Sequence, residues 1–153
     1  MTIKIDRMIG MLMALFLCAL MIGCGSENQK QELEDGYYTA VMSEYSYGWK
    51  EYVTICVMDN KIVNVEYNAR NKAGFIKSWD SAYMRNMNPV SGTYPNRYTR
   101  AYAEQLLQTQ GRQEADLLTG ATESGVNFQK MTEVLLEHAR TGDTEIEIVQ
   151  AGD

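Results

Sequence analysis

Residues 50–67 read KEYVTICVMDNKIVNVEY. Val53, Ile55 and Val57 recur at every second position in the first half, and Val63, Val65 and Tyr67 do the same in the second. Alternation of this kind puts each set on one face of a strand. Between the two runs stands Asp59-Asn60-Lys61, a short Asp/Asn turn. The stretch therefore predicts a β-hairpin with strands at about 50–58 and 62–67.

Upstream, Asp35-Gly36 opens the domain and Tyr37 to Met42 is rich in strand-favouring residues, which predicts a first strand. Downstream the period changes. Trp79, Tyr83, Met84 and Met87 recur at helical spacing. Pro95 stands at a possible first helical position, and Tyr98, Tyr102, Leu106 and Thr109 follow as one stripe, with Gly111 as the stop. A third helix carries Phe128, Met131, Val134, Leu135 and His138 and ends at Gly142; Glu145 to Val149 fits a short last strand. Strands first and helices after predict an α+β domain over residues 35–150, a small antiparallel sheet with helices packed on one face.

The N-terminal 23 residues lie outside that domain. Lys4 and Arg7 precede an apolar run from Met8 to Ile22, fifteen residues long. A membrane span takes about twenty, so the run fits a secretory signal better. Leu20-Met21-Ile22-Gly23-Cys24 resembles a bacterial lipobox, which implies cleavage before Cys24 and a thioether-linked lipid on it. Such a lipid would hold the protein to the outer face of the cytoplasmic membrane or to the cell envelope without spanning it. Residues 24–34 would then be the lipidated cysteine and a polar tether; ten extended residues reach at most about 35 Å.

Removing residues 1–23 takes away Lys4, Arg7 and Asp6, a net +1, so a chain of −6 becomes one of −7. No basic patch interleaved with aromatics is present, which speaks against nucleic acid as a partner. An acidic surface also disfavours docking on anionic lipid, leaving the anchor as the membrane link. Of the cysteines Cys18, Cys24 and Cys56, only Cys56 lies in the domain. It is expected to pack as a small apolar side chain.

Residues 116–124, DLLTGATES, carry the chemistry. His138 is the only histidine, so a histidine-based zinc or haem site cannot be built. If one helix joins them, His138 is also about 24 Å along the axis from Thr122, too far to serve as its base. No phosphate loop of the P-loop type occurs. Gly120 and Ala121 are small enough for a large group to approach the backbone. A helix starting near Glu123 or Ser124 would offer free N–H groups to a phosphate on Thr122. The competing reading is a turn with a Thr or Ser helix cap.

Asp116, Thr119, Gly120, Ala121 and Thr122, followed by Ser124, match the pattern D-x-x-[ST]-G-A-[TS]. With Asp35-Gly36-Tyr37-Tyr38, Gly48-Trp49, Asp59-Asn60-Lys61-Ile62 and the helix before the motif, the chain resembles the small FMN-binding domains of flavinylated lipoproteins and membrane redox pumps. Serine is commoner there where Thr119 stands. The resemblance implies a phosphodiester between Thr122 and FMN, made by a magnesium-dependent FAD:protein FMN transferase, with Asp116 a recognition residue. It implies an electron carrier, not an enzyme, working between a membrane oxidoreductase as donor and an external acceptor or carrier. The alternative is a non-redox surface or ligand-binding lipoprotein with the same fold and no flavin. Tyr94, Tyr98, Trp49 and Trp79 are the aromatic candidates for contact with the ring.

Overall fold

The computed structural model describes residues 32–151; the signal segment, Cys18, the lipobox with Cys24 and most of the tether lie outside the described residues. The elements run β1 (Gly36–Met42), β2 (Lys50–Met58), β3 (Lys61–Arg70), a 3-10 turn (Lys77–Trp79), α1 (Ser81–Ser91), α2 (Pro95–Thr109), α3 (Thr122–Thr141) and β4 (Glu147–Val149). The fold is α+β, as expected.

The β2–β3 hairpin closes through Asp59 and Asn60, both at positive φ (51° and 59°), with Met58 paired to Lys61. That is the two-residue turn whose twist matches the strands. One expectation fails locally. The register shifts at Cys56/Val57, so Val57 pairs with Ile62 and Val63 is left over. This bulge turns Ile62 into the core and pushes Val63 out to solvent, off the face shared by Val65 and Tyr67.

The sheet order is β3-β2-β1-β4. The first three strands are antiparallel, but β4 runs parallel to β1, pairing Ala40 with Glu147 and Met42 with Val149. The sheet is therefore mixed where an antiparallel one was expected. No tight turn dictates the direction of β4, which follows a helix, and a helical connection permits parallel pairing.

Tyr38, Ala40 and Met42 of β1 and Val53, Ile55 and Val57 of β2 meet Tyr98, Tyr102 and Leu106 of α2 and Phe128, Met131 and Leu135 of α3. The ring of Phe128 lies 4.9 Å from that of Tyr67 and 5.5 Å from that of Tyr102. Such pairs add about 0.5–1.5 kcal/mol each beyond their burial. Cys56 is a free, buried thiol, but it packs on the other parity of β2, opposite Tyr37. α2 ends at Thr109, one residue before the left-handed Gln110, whose side chain accepts from Ile62 N (2.8 Å) and donates to Ile62 O (2.9 Å). Gln110 thereby ties this helix end to the edge strand.

Candidate functional site

The loop 110–121 is fixed from α2. Asp116 donates its N–H to Gln105 Oε1 (2.6 Å), and Gln105 Nε2 donates to Asp116 O (3.3 Å). Tyr102, fully buried, donates its hydroxyl to Ala121 O (3.1 Å) and accepts from Leu118 N (2.9 Å). These bonds hold both ends of the Leu118–Ala121 turn. Gly120 sits at φ 81°, and a Cβ there would collide with the Ser91 carbonyl oxygen. Only glycine satisfies both the backbone angle and this approach of the α1 C-terminus.

Helix α3 begins at Thr122, one or two residues earlier than expected. Its cap position is Ala121, with no side-chain cap bond. The hydroxyl-cap reading of the motif is therefore not the one realised. Thr122 occupies the first helical position and is exposed; Ser124 turns inward instead. The first helical bond runs from Gly125 N to Ala121 O, so the N–H groups of Thr122, Glu123 and Ser124 stand outside the helical ladder.

Ser124 Oγ donates to Glu51 Oε1 (2.6 Å), and Asn127 Nδ2 donates to Glu51 Oε2 (2.7 Å). The Tyr67 hydroxyl donates to Ser124 O (2.7 Å) and lies 3.0 Å from Glu51 Oε1. Burial, then the Glu51 carboxylate, pushes the Tyr67 hydroxyl well above its ordinary range. Glu51 is buried on the core-facing parity of β2 and anchors the first turn of α3.

Thr122 opens onto a cavity of about 270 Å³. Trp49, Tyr83 and Tyr98 are the aromatic residues of its wall, Trp49 and Tyr98 being buried, and Gly120, Ala121, Thr122 and Ser124 form the motif side. Trp49 is placed by a second tight turn: Ser46 and Trp49 exchange backbone bonds (2.8 and 2.9 Å) around Tyr47 and Gly48, both at positive φ. Trp49 meets Tyr83 edge to face at 6.0 Å. Lys77 enters from the 3-10 turn and is only 8% exposed. Its ammonium lies 5.2 Å from the Tyr83 ring centre. Burial draws the Lys77 pKa down, while Glu51 and Glu123 pull the other way. Burial raises the Tyr83 and Tyr98 hydroxyls.

Of the expected residues, Gly120, Ala121, Thr122 and Ser124 line the cavity; Asp116 and Thr119 are exposed on the loop leading to it. Of the aromatic candidates, Trp49 and Tyr98 face it. Trp79 is 78% exposed, and Tyr94 caps the start of α2 instead. Tyr83, Lys77 and Glu51 were missed. Glu51 had a visible signal, a charge in the same alternation as Val53, Ile55 and Val57. Lys77 and Tyr83 had none, since their meeting depends on how the 71–80 loop folds. His138 is half-buried in the last turn of α3, with Nδ1 3.9 Å from Asp143 and Nε2 3.8 Å from Glu147, apart from the cavity.

Fold and sequence together define a small α+β lipoprotein; no helix among the described residues is long and apolar enough to cross a membrane. No family model matches the chain. It is 32% identical over 133 residues to the 15 kDa lipoprotein of Treponema pallidum (strain Nichols), covering 86% of this chain and 92% of that one. It superposes with a TM-score of 0.74 on the crystal structure of the CPE2226 protein of Clostridium perfringens, at 34% identity, over 78% of this chain and 99% of that one. The chain belongs to the family of the 15 kDa lipoprotein.

Proposed function

We propose that this lipoprotein carries FMN in phosphodiester linkage to Thr122 and works as an extracytoplasmic electron carrier anchored through Cys24. The observation that carries the reading is the position of Thr122: an exposed hydroxyl on the first residue of α3, at the mouth of an aromatic-walled cavity. The residues present fit such a group. The free N–H groups at the start of α3 suit a phosphate. Tyr83 is half-buried and offers surface to a flat ring, with Trp49 and Tyr98 backing the wall behind it. Two carboxylates of the wall, Glu51 and Glu123, oppose an anion there; Glu51 is engaged by Ser124 and Asn127, and Ser46 Oγ donates to Glu123 Oε1 at 3.0 Å.

Attachment would be the work of an FAD:protein FMN transferase, with Asp116 and Thr119 on the exposed approach. The Thr122 oxygen bonds to the FMN phosphorus of FAD, the pyrophosphate bond breaks, AMP leaves, and the hydroxyl proton passes to the transferase. The flavin supplies one- and two-electron chemistry; the chain binds it, orients it and shields it from water. A membrane oxidoreductase would be the donor and an external acceptor or second carrier the recipient. Mass spectrometry of the 116–130 peptide from native protein tests this. An FMN-sized increment that is lost in Thr122→Ala is expected. An unmodified peptide from cells containing the transferase would instead favour a binding lipoprotein without flavin.

A further inference from the structure

Among the described residues lining the cavity, Lys77 is the one cation. Its backbone is held rigidly. Asp80 N donates to Lys77 O (3.1 Å), and the next residue, Ser78, is clasped by Asn68 through Nδ2 to Ser78 Oγ (2.8 Å) and Ser78 N to Asn68 Oδ1 (3.3 Å). The side chain is thus delivered into the cavity by a locked turn. Yet no carboxylate among the described residues lies within 4 Å of its ammonium. Its near neighbour is the face of Tyr83. The two acids of the cavity wall are already engaged, Glu51 by Ser124 and Asn127 and Glu123 by Ser46. A buried ammonium left with a ring face and distant charges is costly unless an anion shares its space. The start of α3, with its unpaired N–H groups, borders the same cavity and adds positive potential.

We infer that Lys77 is the positioning charge that favours the reduced over the oxidised flavin, an inference that rests on Thr122 carrying that group. When the ring takes two electrons and one proton from a reduced donor, it gains one negative charge. The Lys77 ammonium, in a low-dielectric cavity, stabilises that charge more than it stabilises the neutral oxidised ring. The phosphodiester carries the same charge before and after, so a lysine serving only the phosphate would leave the potential unmoved.

The test compares the flavinylated mature domain with Lys77→Met, Lys77→Gln and Lys77→Arg, each produced with the transferase. Flavin loading is read from absorbance after denaturation. Midpoint potential is read by dithionite titration against a reference dye. Both neutral variants should lose at least tenfold in the reduced-to-oxidised ratio, a fall of about 30 mV for a two-electron couple. The Arg variant should stay close to the parent. Agreement of Met with Gln, unlike in shape but alike in charge, separates an electrostatic role from a structural one. Unchanged potentials in the loaded neutral variants overturn the assignment. So does failure of both neutral variants to load while Arg loads, which would make Lys77 an attachment residue. A parent domain without flavin overturns the proposed function itself, and this inference with it.

Discussion

Ser124 Oγ donates to Glu51 Oε1 across 2.6 Å, joining the first turn of α3 to the second residue of β2. With Asn127 at 2.7 Å on the other oxygen, the carboxylate holds two points of the helix face that starts at Thr122. The hydroxyl proposed as the attachment point is thereby fixed to the sheet and not only to its loop.

Glu51→Ala should lower stability by about 1–3 kcal/mol, since the part-buried donors of Ser124 and Asn127 would be left without their acceptor. Glu51→Gln should cost less, keeping the volume and one acceptor oxygen. Urea midpoints measure both. An alanine variant as stable as the parent would show that the start of α3 does not depend on this carboxylate.

Gly125→Ala gains helix propensity of about 1 kcal/mol but drives a Cβ into the Tyr102 hydroxyl and to 2.7 Å from Leu117 Cδ2. Tyr102 must then leave Ala121 O or Leu118 N. A net loss of about 1–3 kcal/mol is expected, read as a lower thermal midpoint. The control is Gly142→Ala, where the nearest side chain is 3.6 Å away and only the positive φ opposes the change.

Thr122→Ala should leave stability within about 0.5 kcal/mol, because an exposed first-turn residue with no cap role holds nothing in place. Flavin loading should disappear. Thr122→Ser keeps the hydroxyl and should keep the loading. Loss of folding in Thr122→Ala, seen by circular dichroism, would assign the residue a structural part.

Tyr98 is 1% exposed, and burial raises its hydroxyl pKa above the ordinary 10.0. Above pH 10 the unfolded chain ionises first, so the folded state holds the extra proton and stability falls as pH rises. Each such group steepens the fall by up to about 1.4 kcal/mol per pH unit. Tyr98→Phe should shallow the alkaline limb of a stability profile by that slope while leaving the neutral plateau nearly unchanged. An identical alkaline limb would mean that Tyr98 ionises as readily in the fold as outside it.

The elements were legible where one periodicity controlled burial. Tyr98, Tyr102 and Leu106 announced α2, and Phe128, Met131 and Leu135 announced α3, and all six lie in the core. Val63 misled because a single unpaired residue reverses the alternation after it, and nothing in KIVNV marks the bulge. The direction of β4 was hidden for a related reason: three residues carry no register signal, and pairing is decided by where α3 releases the chain. At the site, Gly120 and Ala121 were readable because small residues leave few explanations. Lys77 was not, since the 3-10 turn that carries it packs against β3, α1 and α2 together, a tertiary arrangement with no periodicity of its own.

Helix α1 contributes Tyr83, Met87 and Ser91 to the cavity wall yet buries none of its own residues, and Pro89 removes one donor from its ladder. Of the three helices it therefore has the smallest grip on the sheet, and its amides should exchange with solvent ahead of those in α2 and α3. Opening there uncovers the chamber while the β-hairpin and the Glu51 clasp stay whole. If Thr122 carries the proposed flavin, such local opening would widen the approach to it at less cost than unfolding the domain.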